Sequence, residues 1–129
     1  MQHDISTFDD IQLMVNEFYE KVQKDPLLSP IFNAVIQNRW AEHLEKMYRF
    51  WQTVLLDEHS YQGSPFVPHA KLPLEANHFE RWLLLFNETV DLHFVGPKAE
   101  RAKWQGARMS EMFLAKLSYY RQNPAVSIV

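Results

Sequence analysis

Cysteine is absent from the chain, which excludes disulfides, thiolate metal ligands and a thiol nucleophile. The absence fits a reducing compartment, so the cytoplasm is the expected location. Glycine is scarce, three residues in 129, and alternating apolar and polar runs are missing, which leaves little material for sheets and tight hairpins. No stretch approaches the roughly 18 apolar residues of a membrane span. The acid-bearing start MQHDISTFDD has no apolar run of the kind a signal peptide needs, so a soluble chain is expected. Basic excess is lacking too: 13 Lys and Arg stand against 16 Asp and Glu, giving a formal net charge of -3. That balance offers no overall footprint for nucleic acid or an anionic membrane.

Apolar residues are plentiful, at 47% of the chain. Their spacing is helical, so the reading is all-α, with one domain over 1–129 whose last few residues are frayed. A first helix opens at Ser6 or Thr7, where Thr7 with Asp10 forms a capping-box pattern. It aligns Phe8, Ile11, Val15, Phe18 and Val22 before Pro26 stops it. PLLSPIFNAVIQN then reads as a tight connector with room for little more than one helical turn, and Asn38 as the cap of the next helix. That helix, Arg39 to Leu56, is apolar on two faces. Trp40, Leu44, Met47, Trp51 and Leu55 make one stripe, and His43, Met47, Phe50 and Val54 an overlapping second. An irregular stretch from Asp57 to Pro73 follows, longer than most structureless loops in a compact domain. A third helix from near Pro73 to about Phe94 aligns Phe79, Trp82, Phe86 and Val90. A fourth, Pro97 to about Arg121, turns Ala102, Gly106, Met109, Phe113, Leu117 and Tyr120 inward.

Two strings carry chemistry: HLEKMYRFW at 43–51 and HAKLPL at 69–74. His43 projects beside the apolar stripe, between Trp40 and Met47, so a polar ring is aimed inward. A core histidine bonded to a backbone carbonyl is the plainer alternative. His69 lies between Pro68 and Pro73, which stiffen the backbone around it and suit a ring that must hold one direction; an idle surface histidine is the rival. Tyr19 flanks the first stripe, either as a buried donor or with its hydroxyl at the surface. Trp82, in register with Phe79 and Phe86, reads equally as ordinary core. One object unites these signals: a haem, a flat apolar disc needing two hydrophobic walls, one imidazole on its iron and selected donors on the other face.

The order FYEKV with a following Asp, PIF, His with FW, Y.G.P with H..LP, and F..WL.LF closely resembles the group III truncated haemoglobins, small bacterial globins. The match runs in order from about Phe18 to Phe86, and the paired glycines typical of the other truncated globin groups are lacking here as in that group. The resemblance implies a truncated globin fold, two helices over two around a haem. It makes His69 the iron ligand and Phe32 the aromatic packing on haem near the connector. Tyr19, His43 and Trp82 become the polar residues that stabilise the ligand and act catalytically. Met47, Phe50, Leu72 and Phe86 become apolar haem contacts, with Lys46 reaching a propionate. His93 has no place in the pattern and reads as exposed.

The implied ligands are dioxygen, nitric oxide, carbon monoxide or peroxide, with a separate reductase as partner and the chain monomeric or weakly dimeric. Donors around a ligand that gains partial negative charge slow its release. The expected work is therefore redox chemistry, a haem-dependent nitric oxide dioxygenation or peroxidase-like peroxide activation, rather than oxygen transport. Two rivals belong to other classes: a haem-based gas sensor signalling through a separate protein, and a haem-free helical interaction module or histidine metal site. The six histidines show no tight ligand spacing for the last.

Overall fold

Thr7 starts the first helix as expected: its hydroxyl accepts the Asp10 amide at 3.2 Å, and the Asp10 carboxylate accepts the amides of Ser6 and Thr7. The computed structural model describes residues 2–61 and 74–122. Five helices run through them: α1 (Phe8–Lys24), α2 (Ser29–Ile36), α3 (Trp40–Leu56), α4 (Ala76–His93) and α5 (Pro97–Gln122). α1 lies against both α3 and α4, α4 runs along α5, and α2 folds back onto α1. Ile11, Met14, Val15, Phe18 and Val22 form the inward stripe of α1 and join Trp51, Leu55, Phe86 and Val90 in one buried cluster. Gly106 lets α5 approach α4, since a Cβ there would sit 3.3 Å from the Phe86 ring.

Three expectations need correction. The connector is not a single turn but the eight-residue α2, because Pro30 falls in its first turn, where a missing N–H removes no helical bond. Asn38 does not cap α3. Arg39 occupies the cap position with no side-chain cap bond, and its guanidinium reaches back to the Val35 carbonyl at 2.8 Å. α4 begins at Ala76, three residues beyond the expected start at Pro73. On α5, Ala102, Gly106, Phe113 and Leu117 are buried as read and Met109 is half-buried. The Tyr120 side chain, and the tail read as frayed, lie outside the described residues.

The N-terminal segment has a role its sequence did not announce. The Gln2 amide donates to the carbonyls of Asp91 and Leu92, His3 bridges Phe94, and Ile5 is fully buried. The Asp4 carboxylate accepts the amides of Lys98 and Ala99 at 3.0 and 2.9 Å, satisfying the exposed donors at the start of α5 from a distant part of the chain. Asp25 does similar work at the other end of α1. Its carboxylate accepts the amides of Leu27 and Leu28 and pairs with Arg81 of α4 at 2.6 Å.

Burial pushes Asp25 upward, but the Arg81 guanidinium and the two amides more than reverse this and hold the carboxyl below its ordinary 3.8. Asp4 is likewise lowered by backbone amides outweighing burial, and Asp10 by the Ser6 and Thr7 amides together with the His3 ring. A carboxyl depressed by folding stabilises the fold at pH values above its unfolded pKa, and that stabilisation disappears as pH falls through the folded one. Stability should therefore be flat with respect to these three groups above about pH 5 and fall steeply below about pH 4. Urea melts from pH 6 to 3 should show that loss, and Asp25→Asn should flatten part of it.

Candidate functional site

A cleft of about 220 Å³ opens between α3 on one side and α4 with α5 on the other, closed inside by α1 and α2. One wall carries Met47, Phe50 and Trp51 of α3. The other carries Phe79 of α4 with Met109 and Phe113 of α5, and Leu28, Phe32 and Ile36 close the end near α2. The walls are therefore apolar on both faces, as a flat hydrophobic guest requires.

Three polar rings meet around Tyr19. Tyr19, 6% exposed, stands edge-on to His43 with ring centroids 4.9 Å apart, and Trp40 lies 6.0 Å from Tyr19 and 5.8 Å from His43. Trp82 lines the same cleft and is fixed from behind by Phe18, edge-on at 5.3 Å, and by Phe86, stacked at 5.6 Å. Burial pushes the Tyr19 phenol well above its ordinary value, so the hydroxyl keeps its proton and is a donor throughout the ordinary pH range. It makes no hydrogen bond to any described residue.

The structure brings together seven of the sequence-predicted site residues: Tyr19, Phe32, His43, Lys46, Met47, Phe50 and Trp82 all line the cleft. Lys46 stands exposed at its mouth, 3.5 Å from Glu42. Phe86, read as a haem contact, sits one layer back instead, 1% exposed and stacked between Trp82 and Trp51. Its position four residues after Trp82 put both on one helix face, but only the first reaches the opening. His69 and Leu72 lie outside the described residues. His93 is not simply exposed: its ring is partly buried and pairs with Glu17, tying α4 to α1 away from the cleft.

Sequence reasoning missed several lining residues. Phe79, Met109 and Phe113 carried a signal, lying on the inward faces already assigned. Tyr61 carried none: it reaches the cleft because the Thr53 hydroxyl accepts the amides of Ser60 and Tyr61, folding the chain back after α3, and its ring then packs edge-on to Phe50 at 5.4 Å. His78 lines the cleft from the first turn of α4, where its Nδ1 accepts the Glu75 amide at 2.9 Å. The neutral ring therefore holds its proton on Nε2. Ser110 is nine-tenths buried on α5, and its hydroxyl has no hydrogen-bond partner among the described residues.

Helices arranged this way around an apolar cleft with a few convergent donors define a globin. The chain belongs to the bacterial-like globin family, whose model matches residues 4–115. It is 42% identical over 86 residues to the group 3 truncated haemoglobin ctb of Campylobacter jejuni, covering 64% of this chain and 68% of that one. The crystal structure of a group III truncated haemoglobin from Campylobacter jejuni superposes with a TM-score of 0.82 at 32% identity, covering 91% of this chain and 95% of that one. The fold is thus an all-α truncated globin, and globin membership implies haem binding. The described residues fit that group: two apolar walls for a flat ring, with a phenol donor and an indole among the side chains that line it. Among the described residues, no helix is long and apolar enough to cross a membrane.

Proposed function

We propose that this cleft holds haem with His69 on the iron, and that the protein uses it for redox chemistry on small diatomic ligands or peroxide rather than for oxygen transport. When bound, haem would supply an iron that takes a small ligand and exchanges electrons with it. Phe32, Met47, Phe50 and Leu72 hold the ring apolar and exclude water, and Lys46 pairs with a propionate. Tyr19 and Trp82 would donate hydrogen bonds to the ligand, with His43 beside them. Together these residues form one domain acting in the cytoplasm.

The observation that carries this reading is the Tyr19 hydroxyl, a buried donor facing an apolar cleft without a described partner. A donor so placed gains a hydrogen bond only when a polar ligand arrives. Retention favours reaction: joining dioxygen and nitric oxide into nitrate takes one electron, and reducing peroxide to two waters takes two electrons and two protons. Either reaction therefore needs an external reductase.

His43 supplies the test. A histidine beside the ligand can pass a proton during peroxide cleavage. The reaction of the haem-loaded protein with peroxide should slow in His43→Leu and lose its dependence on pH. A profile unchanged in His43→Leu would remove His43 from proton transfer.

A further inference from the structure

Chemistry that consumes electrons needs a place for the donor to land. Net charge conceals a strong segregation: α5 holds six Lys and Arg against two Glu, while the rest of the chain holds seven against fourteen Asp and Glu. The outward face of α5 concentrates that charge. Lys98, Arg101, Trp104, Arg108 and Met112 follow one another at helical spacing, and all are exposed, Trp104 by 57% and Met112 by 40%. The Arg101 guanidinium lies 5.4 Å over the Trp104 ring, so this large side chain is already held in place before any partner arrives. Exposed Trp and Arg side by side are the residue types that dominate protein interfaces.

We propose that this face of α5 is the docking surface for an acidic one-electron carrier protein, an inference that rests on the haem redox reading above. The charge selects an acidic partner, and the position explains why the partner delivers electrons. Met109 and Phe113, on the inward face of the same helix turns, line the cleft. A docked carrier is therefore separated from the cleft by little more than one helix, about 10 Å. In each encounter one electron leaves the carrier and reduces the haem iron from ferric to ferrous, with no bond made or broken in the carrier.

The test uses haem-loaded protein and an acidic flavodoxin as the probe, measuring affinity by calorimetry and haem reduction by stopped-flow absorbance. Arg101→Glu with Arg108→Glu should weaken binding and slow reduction by roughly tenfold or more, and about 0.5 M salt should do the same to wild type. Lys21→Glu with Lys24→Glu, the same change of net charge on α1, should alter neither by more than about twofold. Equal losses in the two double variants would overturn the assignment. So would absence of flavodoxin binding, or capture by phosphatidylserine vesicles in its place; in those cases normal haem and dioxygen binding would leave the redox reading standing. A protein that takes up no haem would refute that reading, and the donor assignment with it.

Discussion

Removing both proposed donors, in Tyr19→Phe with Trp82→Phe, should speed dioxygen release from the haem-loaded protein by tens of fold. Each net hydrogen bond contributes about 0.5 to 1.5 kcal/mol, and about 1.4 kcal/mol is tenfold in rate, so each single variant should give roughly two- to tenfold. Tyr19→Phe is the cleaner change, because it deletes one oxygen and leaves the ring packed against Phe18 at 4.8 Å and His43 at 4.9 Å. Trp82→Phe also loosens the stack on Phe86, so its stability must be measured beside its kinetics. Stopped-flow displacement of dioxygen by carbon monoxide reads the release rate directly. An unchanged rate in Tyr19→Phe would exclude its hydroxyl from ligand stabilisation.

The largest effect on stability is expected far from the cleft, at Gly96→Ala. Gly96 has φ +138°, which a residue with a Cβ adopts only under strain, and that Cβ would stand 2.6 Å from Cγ of Asp4. The substitution must therefore either strain the α4–α5 corner or displace the carboxylate that caps α5 through Lys98 and Ala99. A loss of about 3 kcal/mol is expected, lowering Tm by roughly 10 °C. Because the clash and the cap share one partner, Gly96→Ala and Asp4→Ala should be less than additive, the second costing little once the first is present. Chemical denaturation of the two single variants and the double variant tests this. Full additivity would mean that Gly96 and Asp4 act independently.

What the sequence revealed, and what it concealed, follows from the range of the interactions. The periodic faces of α1, α3, α4 and α5 were legible because helical spacing is a local property, and Thr7 with Asp10 was legible because a capping box spans four residues. Seven lining residues were legible because family motifs fix them in order. Asp4, Asp25 and Tyr61 were not. Asp4 acts on amides more than ninety residues away, Asp25 on Arg81, and Tyr61 enters through a turn built on the Thr53 hydroxyl. Phe86 shows the limit of the motifs: they give the correct face of a helix but not the depth, and Trp82 intercepts the cleft before Phe86 reaches it. The charge segregation on α5 was present in the sequence but averaged away by counting the whole chain.

The proposed redox chemistry depends on a haem held in this cleft by the imidazole of His69. That attachment is tested most directly by titrating haem into purified protein and recording the Soret absorption of wild type and His69→Ala. Wild type should saturate at one equivalent with an intense, sharp band, and His69→Ala should give a weak, broadened band with much poorer affinity. Identical spectra and affinities in the two proteins, or no saturable band in wild type, would contradict it.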